Sequence, residues 1–103
     1  MPRHTFVSPD EISELRSLPL LSVLDGLDLY WTKDPDFVPK KDKSSIRINV
    51  SLGNDVRELV LTGPKFFDTR DEKFQGGGAI DFVMCLKKCS FKTAVAVLNK
   101  FNR

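Results

Sequence analysis

Residues 73–85 read KFQGGGAIDFVMC, three glycines set directly against an almost unbroken apolar run. Such a stretch is either a loop that cradles phosphate or the punctuation ahead of a buried helix, and the two readings lead to different folds. A Walker-type loop needs Lys and then Ser or Thr directly after its last glycine, to reach the phosphates and magnesium. Here Gly78 is followed by Ala79 and Ile80. A dinucleotide fingerprint needs spaced glycines after a strand and an acid about 20 residues later, whereas the chain has no acid beyond Asp81. The helix reading survives. If Gly78 caps the helix, Asp81 falls at its third position, where free amides and the helix dipole stabilise a carboxylate and compete with any phosphate. Gly76, Gly77, Gly78 and Asp81 are therefore read as structural.

Working outward, every residue from Ala79 to Leu86 except Asp81 is apolar, so this helix should be buried nearly all round. Ser90 can cap a following helix in which Phe91, Ala94, Val95, Leu98 and Phe101 form an apolar stripe. Upstream, SIRINVS (45–51) alternates, with Ile46, Ile48 and Val50 on one face and Arg47, Asn49 and Ser51 on the other, the pattern of a half-buried strand. LGND then supplies a turn into a second strand, VRELVLT. DLYW (28–31) reads as a short strand and KFFD (65–68) as a further one. Between DLYW and SIRINVS, the Pro- and Lys-rich TKDPDFVPKKDK is a loop.

At the N-terminal end, Ser8, Pro9 and the acids that follow mark a helix start. In SLPLLSVLDGL (17–27), Ser17 can cap a second helix, Leu20, Val23, Leu24 and Leu27 recur at helical spacing, and Gly26 can end it. Helices, then strands, then helices, without alternating crossovers, imply an α+β domain. The expectation is a small antiparallel sheet of three to four strands, with the N-terminal helices and two C-terminal helices packed on one face. The 103 residues make one module, with residues 1–8 expected to be flexible.

Composition narrows the function classes. The chain is 41% hydrophobic and 29% charged, as ordinary globular proteins are. No apolar run approaches the roughly 20 residues that span a bilayer, and MPRHTFVSPDE lacks the apolar core of a secretory signal, so a cytoplasmic location and no membrane partner are expected. Cys85 and Cys89 are too few for a disulfide framework. With His4 as the best remaining ligand candidate, they also fall short of the four donors of a structural zinc site. No nucleophile–base pair or paired-carboxylate pattern is present, so neither catalysis nor a cofactor is expected. Charge is uneven: residues 1–81 carry eleven basic and fourteen acidic side chains, residues 82–103 five basic and none acidic. A second basic cluster holds Lys40, Lys41, Lys43 and Arg47. Such patches suit a polyanion.

The stretch GGGAIDFVMCLKKCSFKTAVAVL (76–98) resembles the segment that closes the N-terminal zinc-binding domain of bacterial replicative primases and of primase-like proteins of plasmids and conjugative elements. Gly77, Gly78, Ala79, Ile80, Asp81, Phe82, Ser90, Phe91, Ala94, Val95 and Leu98 carry the likeness. ISELRSLPLLSVLDGL, SIRINVS, RELVLT and KFFD follow the same order of helical region and strands, so the resemblance covers about residues 10–100. One departure matters. In those primases Cys and His precede the sheet and two Cys precede the glycines, but FVPKKDKSS and FFDTRDEKFQ contain neither. The resemblance is thus to a zinc-free relative, in which Phe66, Phe67 and Phe74 would replace the metal as a staple.

The family resemblance implies single-stranded DNA bound on the sheet face, with basic side chains on phosphates and rings stacked on bases. The candidates are Arg47 and Asn49 on one strand, Arg57 on the next, and Lys65 with one of Phe66 and Phe67, of which Phe67 is preferred. Lys40, Lys41 and Lys43 lie beside them, and Arg70 and Lys73 precede the glycines. Lys92 and Lys100, on the wet side of the last helix, form a rival basic surface. The other expectation is a protein-interaction module that keeps the fold without DNA binding, docking on a primase, helicase or relaxase of the same mobile element.

Overall fold

A computed structural model describes residues 8–101 of the chain. His4 and Arg103, and all but the last residue of the 1–8 segment, lie outside the described residues. Two helices come first, α1 (Pro9–Arg16) and α2 (Leu20–Gly26). Five strands follow, β1 (Trp31–Lys33), β2 (Ile46–Leu52), β3 (Asp55–Thr62), β4 (Lys65–Asp68) and β5 (Gln75–Gly77). The described chain ends with α3 (Ala79–Lys87) and α4 (Phe91–Phe101). The sheet is an antiparallel meander in chain order, β1-β2-β3-β4-β5, so the α+β class holds and the strand number is five, not three to four.

The additional strand is the glycine run itself. Gln75–Gly77 pairs with β4, Phe67 opposite Gln75 and Phe66 opposite Gly76. Glycine is a poor strand former on propensity, but contact with the helix behind it requires one here. A Cβ on Gly76 would stand 2.9 Å from the Cβ of Asp81 and 3.1 Å from Cζ of Phe66. Gly78 then caps α3 with φ 95°, and Asp81 Oδ2 accepts a hydrogen bond from the Gly77 amide at 3.2 Å. The carboxylate thus occupies an amide that a phosphate loop would offer.

Gly78→Val should therefore destabilise the fold without removing a ligand site. Its φ lies where L side chains are strained by about 1–3 kcal/mol, and a Cβ there meets the Arg16 carbonyl oxygen at 3.4 Å. The expected fall in melting temperature is roughly 5–15 °C. An unchanged melt would refute the strain.

One face of the sheet builds the core. Ile48 and Val50 of β2, Leu59 and Leu61 of β3 and Phe66 of β4 pack against Leu15, Val23 and Leu24 from the first two helices. Ile80, Phe82, Val83 and Leu86 of α3 and Ala94, Val95 and Leu98 of α4 complete it. All four helices lie on this side. Phe66 is the hub, 4.8 Å from the Phe82 ring centroid and 5.9 Å from that of Phe74.

Local signals were read with three shifts. Ser17 does not cap α2: it is the C-cap of α1, its hydroxyl donates to the Glu14 carbonyl at 2.8 Å, and Pro19 stands at the α2 N-cap. The turn after α2 uses Leu27 as cap and Asp28 at φ 61°, not Gly26. Phe91 leaves the apolar stripe and is exposed at the start of α4, while Ser90 Oγ caps that helix by accepting from Thr93 N at 3.2 Å. The short first strand begins at Trp31 rather than Asp28, because Trp31 is the residue that meets Val50.

Candidate functional site

Opposite the helices, the outer sheet face is open to solvent, and the register decides what stands on it. Arg47 faces Val60, Val60 faces Phe67 and Phe67 faces Gln75, which makes one row across β2 to β5. With strands about 4.8 Å apart, Arg47 and Phe67 stand roughly 10 Å from one another along it. Lys65 belongs to the neighbouring row beside Thr62, and Asn49 to the row of Glu58. Phe67 is 47% exposed, so it is not part of the phenylalanine staple, which consists of Phe66 and Phe74.

Arg57 is not on this face. It pairs across from Val50 on the core side, at the open end of the sheet. There Arg57 Nη1 donates to Asp68 Oδ2 at 2.8 Å and Asp71 Oδ2 at 3.3 Å, with its guanidinium 4.5 Å above the Phe74 ring. The alternation of VRELVLT allowed either face, and the two-residue turn Gly53–Asn54 sets it by pairing Leu52 with Asp55. Charge reversal at Arg57 would break this cluster and unfold that corner, so it does not probe DNA contacts.

Arg47 stands on the expected face but is already partnered. Asp34 Oδ2 accepts from its Nε at 2.9 Å and its Nη2 at 2.6 Å, Glu58 lies 3.8 Å away, and the Phe37 ring sits 5.0 Å from the guanidinium carbon. A phosphate reaching Arg47 must displace Asp34. Lys40, Lys41 and Lys43 are exposed in the β1–β2 loop, and Arg70 and Lys73 are exposed in the β4–β5 loop. The central face is thus close to electroneutral, an exposed ring and amides, with positive charge in the loops at its margins. Gln75, Phe37 and Asp34 were missed from sequence, since their places follow only from register and from the folding of the loop.

The carboxylates that tie these loops titrate low. The Arg47 side chain, helped by the Asp36 amide, holds the Asp34 carboxyl below its ordinary value. The Lys73 amide, with Arg57, does the same for Asp71, and Ser44 does so for Asp42. A depressed folded value means the unfolded chain takes up the proton first. The stabilisation is therefore complete above about pH 4 and is lost as pH falls through the folded values. Melting temperature should fall steeply below about pH 4, and the fall should be shallower in Asp34→Asn; identical acid profiles would refute this.

The zinc that the resemblance would bring does not fit. The two segments that would hold it contain no Cys or His, and Cys85 and Cys89 direct their thiols at the carbonyls of Gln75 and Val83. Among the described residues, no group of three or more His, Cys, Asp or Glu could hold a metal ion. Burial pushes the Cys85 thiol up, away from the thiolate a ligand or nucleophile needs. No helix among the described residues is long and apolar enough to cross a membrane.

Comparison of the chain with family models, with curated proteins and with solved structures found no match.

Proposed function

We propose that this chain is a non-catalytic module that binds single-stranded DNA on the outer sheet face, in the manner of a zinc-free relative of the primase zinc-binding domain acting in the cytoplasm. The observation that carries the reading is Phe67. A large ring left 47% exposed in the middle of a sheet face contributes little to folding, and it is the element that base stacking requires. Lys65 two residues earlier, Gln75 opposite and Arg70 beyond the strand end supply phosphate and base-edge contacts. Asn49 adds an amide, and the loop lysines Lys40, Lys41 and Lys43 add charge, with Lys73 on the opposite margin.

The two kinds of contact have separable signatures. Phe67→Ala should weaken binding to an oligothymidylate by about 5- to 100-fold, the range for loss of one stacked base, with the salt dependence unchanged because no charge is lost. Lys65→Ala should instead lower the slope of log affinity against log salt by about 0.7. Neither change should move the melting temperature by more than about 2–3 °C. Wild-type affinity in Phe67→Ala, together with lost binding on charge reversal at Lys92 and Lys100, would transfer the function to α4.

A second reading, a protein-interaction module docking on a primase, helicase or relaxase, is favoured by one feature. Leu18, Leu20 and Leu21 of the α1–α2 region face Ile46, Leu61 and Pro64 across an apolar groove of about 500 Å³. Binding that ignores salt and needs no DNA would support it over the first.

A further inference from the structure

The twelve residues between β1 and β2 form the longest connection in the described chain, and connections of that length within a compact domain usually carry function. This one is tied down at both ends. The Asp34 amide donates to the Arg47 carbonyl at 2.8 Å, and the hydroxyls of Ser45 and Thr62 lie 2.6 Å apart. Asp34 Oδ1 accepts from the Asp36 amide at 2.9 Å, and Asp42 Oδ1 accepts from the Ser44 amide at 2.9 Å and its hydroxyl at 2.6 Å. The loop encloses a cleft of about 480 Å³ with walls from Pro35, Phe37 and Pro39, and with Lys33, Lys43 and Ser45 on its lining.

Resting on the single-stranded DNA reading above, we propose that this cleft is a nucleotide subsite. It takes one nucleotide unit of the strand, its phosphate on Lys33 and Lys43 and its base against Phe37 and the prolines, next to the row that leads to Phe67. Charge selects the class of ligand. Asp34, the carboxylate on the lining, is consumed by Arg47, while no ion pair joins Lys33 or Lys43 to a carboxylate among the described residues. The cleft therefore carries an unbalanced positive charge, with Lys40 and Lys41 exposed on the same loop. Its apolar walls call for a flat organic group beside the anion, which a bare phosphate lacks. The volume falls in the range of small-molecule sites, and the proline walls and side-chain-capped turns lower the ordering cost of binding.

The other clefts lack this combination. The one beside Phe67 and Gln75 is lined by Asp68, Asp71 and Glu72 against a single cation, Arg70, and repels a second phosphate. The groove beside Leu18 and Leu21 has no cation on its lining.

The test compares wild type, Lys33→Ala/Lys43→Ala and Phe67→Ala on oligothymidylates of increasing length, at two salt concentrations, with thymidine monophosphate as a separate ligand. Both lysines are exposed, and an unchanged melting temperature verifies that the double variant is folded. The double variant should match wild type on the shortest strands and lose the gain in affinity that longer strands bring, with the salt slope lower by about 1.4, two phosphate contacts at about 0.7 each. Wild-type affinity and slope on long strands in the double variant, with Phe67→Ala still impaired, would overturn the subsite and leave the sheet-face reading standing. A wild-type protein that binds no oligothymidylate would overturn both. Saturable binding of thymidine monophosphate, lost in the double variant, would support the cleft and assign it to a free nucleotide.

Discussion

Phe82→Ala should lower the melting temperature by roughly 15 °C or more. Phe82 is fully buried in α3, and its ring lies 4.8 Å from that of Phe66 at an interplanar angle of 59°. It couples the helical layer to β4, and through Phe66 to Phe74 beyond. Truncating a buried phenylalanine costs about 3–5 kcal/mol, because the transfer free energy and the cavity left behind add. Against a total of about 5–15 kcal/mol for a domain, that is a third or more of the stability. Phe82→Leu, which fills most of the space, should recover more than half of the loss. Thermal and urea melts of both variants check this; a fall of less than about 5 °C in the alanine variant would mean that another contact closes the core.

Asp68→Ala should cost about 2–3 kcal/mol, more than any other single charge on the sheet. Its side chain is 4% exposed. Oδ2 takes the Arg57 guanidinium at 2.8 Å while Oδ1 takes the Arg70 amide at 2.7 Å. Removing it leaves Arg57 with Asp71, whose side chain is 41% exposed, and leaves the Arg70 amide without its side-chain acceptor. Asp68→Asn keeps an acceptor for that amide and loses only the charge, so it should cost about half as much. Denaturant titration should give the order wild type, Asn, Ala, with an unchanged slope. An alanine variant within about 0.5 kcal/mol of wild type would show that water replaces the carboxylate.

The parts of the fold that were legible in the sequence are those governed by local pattern. The alternation of Ile46, Ile48 and Val50, the apolar run from Ala79 to Leu86 and the cap at Ser90 each specify an element from its own residues. β5 was not legible, because a run of glycines carries no strand propensity and forms one here through pairing with β4 and the close approach of Asp81. The face of Arg57 was not legible either. Val56, Glu58 and Val60 alternate as well as Arg57, Leu59 and Leu61 do, and only the turn length decides between them.

The candidate site divides along the same line. Asn49, Lys65 and Phe67 could be placed on one face by period alone, and they stand there. The neutralisation of Arg47 by Asp34 could not, since the two residues are joined only by the path of the loop. The same path creates the cleft beneath Phe37, from prolines and lysines that read in sequence as an ordinary linker.

The meander has a kinetic consequence. Each strand pairs with its neighbour in the chain, so the sheet can zip from one hairpin to the next with little loop-closure entropy at any step. The contacts that join distant parts of the chain are mostly those of α1 and α2 with the C-terminal helices. A local opening that releases α1 would uncover Leu15 and its neighbours while leaving every hairpin intact. The face that carries Phe67 can thus persist in partly unfolded molecules, and hydrogen exchange should be slowest in β2 and β3 and fastest in α1.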